Sequence, residues 1–413
     1  MTELHEGRYF AYFSRHIDGG EKIGSPNAEF EIVRVKDVEN AKAFEPIPFW
    51  YLTTSLKNRD LNTEAFTPGR WCEVDFRRQE GEEYACQVEN PLTENVVSGS
   101  CVVDSIEPSA SQNIESVFQL FGQRGTNSNL NIGSTTCVKV RIYYVGAALC
   151  IGIIDDSGNV VAYFDFGCIS GNTSKNQIVL DMAPVADANQ TNIISDITNN
   201  PNKKIILSHW HKDHINLAFR YKPTNLQYPF WGKVEWHVPD TRCPSASWLN
   251  RTVIPPQSFF VYNSAMKPSF NKGLVEIGKI RPNRPHPHPH HNGMFAVIKL
   301  KDNGEKWALL SGDCTYEFLF NSVCQKKFRY LQASHHGGNF AYLPAQRTNL
   351  SKYIPCPDAV YNRIAYSADS VTHGHPDSTY TLPHEQCGWI DRDCTFDAAK
   401  LAVAKQGDGY IDW

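Results

Sequence analysis

Hydrophobic and polar residues follow one another along this chain mostly in the short alternating or apolar runs that predict β-strands. In the N-terminal part, strands are predicted at residues 9–13, 30–35, 49–53 and 71–76. From residue 136 the runs become denser, and they predict strands at residues 138–145, 149–154, 160–166, 205–208, 234–238, 294–300, 307–310, 328–333 and 359–366. An Asp-Ser-Gly-Asn turn at residues 156–159 predicts a hairpin.

Polar segments between these runs predict loops and boundaries. Residues 91–111 are rich in Ser and Asn and predict a loop or linker, and residues 240–285 predict an insertion or long loops. Short helices are predicted at residues 114–121, 192–198 and 396–405. The predicted parts are an N-terminal β-rich extension at residues 1–130, a main domain at residues 136–390 and a C-terminal tail at residues 391–413.

Net charge changes sign near the first of these boundaries. Residues 1–130 carry 12 Lys and Arg against 21 Asp and Glu, a balance of −9, and the remaining residues carry 28 against 23, a balance of +5. A mildly basic main domain suits an anionic substrate, but it lacks the strong basic stripe of a dedicated nucleic-acid binder. The acidic first part could serve contacts with a protein partner.

The chain has no feature that predicts export or a membrane. Its first residues lack the basic and apolar regions of a secretory signal, and no apolar run approaches the ~20 residues of a membrane span. The 12 cysteines have irregular spacings without a Cys-x-x-Cys pair, which predicts reduced and mostly buried thiols. We therefore expect a cytoplasmic protein.

The strongest chemical signal is the segment His-Trp-His-Lys-Asp-His at residues 209–214, here called the histidine turn, which follows an apolar strand. His209 and His211 are two residues apart, so their side chains leave the same face of an extended chain. Asp213 and His214 lie past the strand end and can turn toward a second point. Imidazole and carboxylate groups are ligands of zinc and its neighbours, so the pattern predicts two adjacent metal ions.

Further histidines and carboxylates stand at the ends of other predicted strands. Asp165 is followed by Phe-Gly, Asp313 ends a Ser-Gly-Asp sequence, and a His-His-Gly-Gly sequence begins at His335. A Gly-His-Pro sequence contains His375, and residues 285–291 alternate Pro and His before the strand predicted at 294–300. Residues that follow neighbouring strands can converge on one site.

In these motifs the chain resembles the metallo-β-lactamase-fold hydrolases over roughly residues 136–385. It is most similar to the branch that includes the nuclease-like domain of DNA-uptake competence proteins and the phosphorylcholine esterases. The resemblance implies an α/β fold, an αββα sandwich, with an additional N-terminal β-rich domain or extension. It also implies two divalent metal ions, with zinc expected and manganese or iron compatible with the same ligands.

The resemblance also implies roles for individual residues. His209, His211 and His290 would hold one metal ion, Asp213, His214 and His336 the other, and Asp313 would bridge the two. His288, His291 and His237 stay open as alternatives to His290, and His335 stays open as an alternative to His336. Asp165 would buttress the histidine turn. The catalytic set implied by the resemblance is Asp213, His335 and His375, with the last two as proton donors.

The activity implied is hydrolysis by a metal-bridging hydroxide. A phosphodiester is the favoured substrate, with nucleic acid, nucleotides and phospho-headgroups all open. One alternative is a hydrolase of a carboxylic ester, lactone or thioester. The other is a non-catalytic, partner-binding subunit of a larger complex, such as one in defence.

Overall fold

The computed structural model is dominated by strands: 43% of the described residues lie in strands and 23% in helices. The described residues are 3–16, 28–42, 45–56, 68–78, 84–91, 95–105, 108–132, 137–143, 148–167, 203–220, 234–252, 254, 256–270, 273–280, 292–300, 306–338, 350–358, 362–367, 376, 378–394 and 410–412. The architecture consists of one closed barrel and one large sheet.

The N-terminal strands close into an antiparallel barrel in the order β1-β2-β3-β5-β6-β4. They are β1 (Gly7–His16), β2 (Ala28–Arg34), β3 (Trp50–Thr54), β4 (Trp71–Arg77), β5 (Tyr84–Glu89) and β6 (Val96–Ser105). A short helix, α1 (Val35–Glu39), follows β2. Because successive side chains of a strand point to opposite faces, Tyr9, Ala11 and Phe13 of β1 enter the barrel core together, where they pack with Phe30 and Trp50.

The remaining strands form one 15-stranded sheet. They are β7 (Gln123–Arg124), β8 (Asn129–Leu130), β9 (Cys137–Tyr143), β10 (Cys150–Asp155), β11 (Val160–Phe166), β12 (Lys204–Ile206), β13 (Glu235–Pro239), β14 (Phe259–Tyr262), β15 (Val275–Lys279), β16 (Met294–Leu300), β17 (Lys306–Leu310), β18 (Tyr330–Gln332), β19 (Arg363–Tyr366), β20 (Asp391–Cys394) and β21 (Tyr410–Asp412). The main path runs β20-β19-β18-β17-β16-β9-β10-β11-β12-β13-β14-β7.

The described helices outside the barrel are short. They are α2 (Pro108–Val117), α3 (Lys212–Arg220), α4 (Pro244–Thr252), α5 (Tyr316–Val323) and α6 (Ser378–Gln386). Single 3₁₀ turns lie at Pro256–Ser258 and Ser334–Gly337. In the part of the chain that the structure describes, no helix has both the length and the apolar character that crossing a membrane requires.

The predicted αββα sandwich is wrong. Strand residues outnumber helical residues nearly two to one in the described chain, and a closed barrel accounts for six of the strands. The large sheet is also continuous, because β16 pairs with β9 at Leu300 and Cys137 instead of leaving two separate sheets. The prediction followed from motifs at strand ends, which report on local chemistry and not on how many helices cover a sheet.

Two segments predicted as loops are also structured. Residues 91–111 contain β6, whose pairing with β4 and β5 closes the barrel. Residues 240–285 contain α4, β14 and β15. Ser, Asn and Pro mark loops only on average, and pairing with neighbouring strands overrides their local preference here.

The strands β7 and β8, which precede residue 131, pair with β14 and β15 of the large sheet, while the division of the chain into domains stays a prediction.

The barrel and the large sheet share a hydrophobic core. All seven residues of β2 are buried, because one face lines the barrel interior through Phe30 and the other carries Val33 into the shared cluster. Phe49 of the barrel lies with its ring centroid 5.6 Å from that of Phe219 in α3 and 6.4 Å from that of Trp248 in α4. The barrel is therefore packed against the helices that flank the sheet.

A buried carboxylate also joins the two parts. Glu31 of β2 accepts hydrogen bonds from the backbone N–H of Ser245 at 2.7 Å and from its hydroxyl group at 2.8 Å, in the first turn of α4. Burial raises the pKa of Glu31 to about 8, although the hydrogen bonds from Ser245 oppose the shift. The interface thus contains a carboxyl group that favours its neutral form.

The Glu31→Gln variant should lose part of the pH dependence of stability between about pH 4.5 and about pH 8. Since the pKa of Glu31 in the folded protein lies above the ordinary 4.5, the unfolded chain releases this proton first. The free energy of unfolding therefore falls as the pH rises through this window. Glutamine has no such proton, and its amide oxygen can still accept from Ser245. Urea unfolding at several pH values measures the difference.

The control is Glu73→Gln, which removes a partly exposed barrel carboxylate that pairs with Arg8 on the surface. This variant should keep the wild-type fall in stability. If Glu31→Gln and the wild type lost the same free energy between pH 5 and pH 8, Glu31 would not titrate as its burial requires.

The large sheet bends so that the ends of β12 and β17 meet, although four strands separate them along the sheet. The N–H of Met294, at the start of β16, donates to the carbonyl of Ser208 at 2.8 Å. Gly312, just after β17, has φ +55°, and a Cβ there would lie 2.4 Å from the Cβ of Ser208. Only glycine allows this approach, which brings the polar residues after both strands into one place.

Candidate metal centre

The candidate site lies where the chain leaves β12, β17 and β18. The histidine turn follows β12, and its last three residues begin α3. Asp313 comes three residues after β17, and the 3₁₀ turn at Ser334–Gly337 follows β18. Since β17 and β18 are parallel neighbours, their C-terminal ends open at the same edge of the sheet.

Six buried side chains face one another here in two groups of three. The first group is His209, His211 and Asp313, and the second is Asp213, His214 and His336. Within each group, one nitrogen or oxygen atom from every residue lies within 4.8 Å of the others. Each of these buried His/Asp groups could hold a metal ion.

Asp313 stands between the two groups. Its Oδ2 lies 3.6 Å from Nε2 of His209, and its Oδ1 lies 3.4 Å from Nε2 of His214 and 3.7 Å from Nε2 of His336. One carboxylate oxygen thus faces the first group and the other faces the second. A carboxylate can span two cations in this way.

The separations fit metal ligands. Zinc bonds to nitrogen and oxygen of about 2.0–2.1 Å give a tetrahedral site with ligand–ligand edges of about 3.3–3.4 Å. In the second group, Oδ2 of Asp213 lies 3.4 Å from Nε2 of His336, and the Nε2 atoms of His214 and His336 are 3.2 Å apart. The residues present therefore suit divalent cations in both their atom types and their spacing.

The Nδ1 atoms of three of these histidines form hydrogen bonds on the side away from the cluster. His214 Nδ1 donates to Oδ2 of Asp165 at 2.7 Å, and the Ser208 hydroxyl donates to the same oxygen at 2.7 Å. The Ser208 oxygen in turn lies 2.9 Å from Nδ1 of His209, from which it can accept. His336 Nδ1 donates to the carbonyl of Ser367 at 2.6 Å. These bonds place the protons on Nδ1 and turn the Nε2 lone pairs toward the cluster.

In His211 the nitrogen that forms the supporting hydrogen bond is Nε2 instead of Nδ1. Its Nε2 lies 3.0 Å from the carbonyl oxygen of Ser14, a residue of barrel strand β1, and can donate to it. Nδ1 of His211 is therefore the nitrogen that would ligate a metal ion in the first group.

Burial and neighbouring charges set the protonation states. Burial and the adjacent imidazoles lower the pKa of His209 well below 6.5, and burial together with Arg15 lowers that of His211 to about 3. Burial raises the pKa of Asp313, but His214 and the other imidazoles outweigh it and hold this pKa well below its usual range. Neutral imidazole and ionised carboxylate are the forms that ligate metals.

His214 shows the opposite shift. Burial lowers its pKa, but the carboxylates of Asp313, Asp165 and Asp213 outweigh that effect and raise it well above 6.5. Three carboxylates around one imidazole stabilise a positive charge at this position, which either a proton on His214 or a metal cation can supply.

The turn that carries His336 has an unusual backbone. His335 and His336 have φ values of 49° and 54°, in the left-handed region that residues other than glycine rarely adopt. The N–H of Ser334 donates to the Tyr316 hydroxyl at 3.0 Å, and that hydroxyl also lies 3.0 Å from Nε2 of buried His384. Such conformations persist where the surroundings fix them, and they are concentrated at functional sites.

The predicted site residues fall into three sets: those that the structure brings together, those that are described but lie in neither group, and those outside the described residues. His209, His211, Asp213, His214, Asp313 and His336 meet in the two groups. His335 belongs to neither, but its Nε2 lies 4.0 Å from Oδ2 of Asp313 and its side chain is partly exposed. His288, His290, His291 and His375 lie outside the described residues.

His237, left open by the sequence as an alternative ligand, lies in neither group. Its Nδ1 lies 3.0 Å from the hydroxyl of Tyr262, and its ring stacks on Phe260 with centroids 4.9 Å apart. These contacts are those of a histidine packed within the sheet.

Several residues around the site were missed from the sequence. Ser208, Ser367, Ser14 and Arg15 all contact a member of the two groups. Ser208 adjoins the histidine turn and could have been considered on that ground. Nothing in the sequence connects β1 with a motif almost 200 residues later.

No protein-family model matches the chain, and no curated protein matches it significantly. The function proposed below is therefore argued from the site and from the sequence.

Proposed function

We propose that this protein is a hydrolase that depends on two divalent metal ions, with a phosphodiester as its substrate. The observation that carries the proposal is the pair of buried His/Asp groups with Asp313 between them. The resemblance of the histidine turn to that of the metallo-β-lactamase-type hydrolases supports the same activity. Zinc is the metal that we expect, and manganese or iron would accept the same ligands.

Each residue of the site would have a role that follows from its position. His209 and His211 would hold one cation and His214, His336 and Asp213 the other, while Asp313 would contact both. When bound, such a pair of cations activates a water molecule as nucleophile and offsets the negative charge that develops on oxygen. His335, which is partly exposed and lies 4.0 Å from Asp313, would donate a proton to the leaving oxygen. General acid catalysis of this kind is typically worth about 10²–10⁴-fold.

Charge favours a phosphodiester over an uncharged ester. The chain after residue 130 has a balance of +5, and an anionic substrate gains from it. Nucleic acid, nucleotides and phospho-headgroups all carry the required diester. We also propose the cytoplasm as the compartment, since the nine cysteines whose side chains the structure describes are free thiols and six of them are buried.

Hydrolysis of two chromogenic substrates tests the proposal. Protein loaded with Zn²⁺ or Mn²⁺ should turn over bis-p-nitrophenyl phosphate, lose this activity on chelation and regain it when the metal is returned. Turnover of a p-nitrophenyl carboxylic ester alone would favour the ester, lactone or thioester alternative. Two bound metal ions with no turnover of either substrate would favour a non-catalytic subunit.

A further inference from the structure

The barrel holds the histidine turn at three consecutive residues. Ser14 O accepts from Nε2 of His211 at 3.0 Å. Glu89 of β5 pairs with Lys212 at 2.5 Å. Arg15 of β1 pairs with Asp213 at 2.9 Å. His211 belongs to the first ligand group and Asp213 to the second, so the barrel contacts one ligand of each.

The contact between Arg15 and Asp213 is the most specific of the three. Nη1 of Arg15 lies 2.9 Å from Oδ1 and 3.0 Å from Oδ2 of Asp213, and the Arg15 side chain is only 12% exposed. Its other terminal nitrogen lies 3.5 Å from the carboxylate of Glu29, which is also buried. Two buried carboxylates therefore fix the guanidinium group, and the guanidinium group fixes Asp213.

This contact leaves Asp213 able to face its own group. Oδ2 of Asp213 lies 3.4 Å from Nε2 of His336 and 3.8 Å from Nε2 of His214, on the side of the metal ligands. Because one nitrogen of Arg15 contacts both carboxylate oxygens, the direction of the Asp213 carboxylate is set from the barrel. Replacing a residue that holds a metal ligand in this way typically lowers metal affinity by about 10–100-fold.

We propose that the barrel is a working part of the metal centre, in which Arg15 is the positioning residue that orients Asp213 and so sets the affinity of the Asp213–His214–His336 group. This inference rests on the proposed function only in that it requires metal ions to bind. A guanidinium group near a cation also repels it, but the carboxylate of Glu29 offsets that charge. Orientation of Asp213 is thus expected to outweigh repulsion.

The test is zinc affinity of the full chain, measured by competition with a chromophoric chelator and by elemental analysis after dialysis. Arg15→Met keeps most of the side-chain volume and removes the charge and donors. One zinc equivalent should bind about 10–100-fold more weakly than in the wild type, and the other should change little. Arg15→Lys keeps the charge but not the planar fork, and it should also weaken that equivalent, by a smaller factor.

Arg8→Met is the matched control, because Arg8 is on the same strand and pairs with Glu73 at the surface. It should bind two zinc ions as the wild type does. Thermal unfolding of the proteins after removal of metal by a chelator separates positioning from general stability. If Arg15 had a purely structural role, its substitution would lower the unfolding midpoint of the metal-free protein and leave both zinc affinities unchanged.

The outcomes distinguish this inference from the proposed function. Unchanged or tighter zinc binding in both Arg15 variants, with two zinc ions in the wild type, would overturn the role of Arg15 alone. Failure of the wild type to bind zinc or any other transition metal would overturn both. If Arg15→Met did not fold, Arg15→Lys would decide, since it keeps the buried charge opposite Glu29 and Asp213.

Discussion

Replacing Asp313 with asparagine should reduce phosphodiester hydrolysis by on the order of 10³-fold or more and should lower the bound metal from two ions to at most one. The side chain keeps its shape but loses the charge that faces both ligand groups, with Nε2 atoms of His209 and His214 at 3.6 Å and 3.4 Å. An amide offers one oxygen, so it cannot contact a cation on each side. Elemental analysis and turnover of bis-p-nitrophenyl phosphate measure the two effects on the same preparation.

Asp155→Asn provides the control for this substitution. Asp155 is the last residue of β10 and so also lies at the end of a strand of the large sheet. Its side chain accepts hydrogen bonds from backbone N–H groups in an exposed hairpin. Its replacement should leave metal content and turnover near wild-type values. Two metal ions and undiminished hydrolysis in Asp313→Asn would mean that Asp313 does not join the two groups.

Replacing Gly167 with alanine should destabilise the fold by about 3 kcal/mol or more and displace the histidine turn. A Cβ at this position would lie 1.6 Å from the backbone oxygen of Asp213 and 3.0 Å from that of Leu149. Backbone atoms cannot step aside as a flexible side chain can, and the Asp213 oxygen already accepts from the N–H of Leu149 at 3.1 Å. Relief of the clash must move Asp213, so metal affinity should fall together with stability.

The comparison for this variant is Gly158→Ala in the hairpin between β10 and β11. Gly158 has φ +82°, and nothing lies within 4 Å of a Cβ there, so only backbone strain of about 1–3 kcal/mol is expected. Denaturant unfolding and zinc affinity should show a loss of stability in both variants and a loss of metal binding only in Gly167→Ala. Wild-type zinc affinity in Gly167→Ala would show that the turn tolerates the displacement.

Much of the candidate site could be predicted from the sequence because its chemistry is local. The histidine turn carries four of the six grouped residues within six positions, and spacing alone assigns them to two points in space. Asp313 and His336 follow apolar strands, and strand ends of one sheet meet at an edge. The choice of His336 over His335 needed coordinates, since both residues have a left-handed backbone, which the sequence patterns of strands and helices do not predict.

The rest depends on contacts between distant parts of the chain. Closure of the barrel requires β6, and its Ser-rich, Gly-containing sequence does not distinguish a paired strand from a loop. The pairing between β16 and β9 that makes the large sheet continuous has no sequence signal. Arg15 is an ordinary basic residue of a strand until Asp213 is placed against it, 198 positions later.

That separation has a consequence for biosynthesis. Ser14 and Arg15 leave the ribosome long before Asp213, and His336 emerges later still, so the barrel can be complete while most of the ligands are not yet made. Contacts of such high sequence separation form late, because loop closure must precede them. Metal binding should therefore be among the last events in maturation of this chain. The barrel could fold first, and the histidine turn would pack against it after its own synthesis.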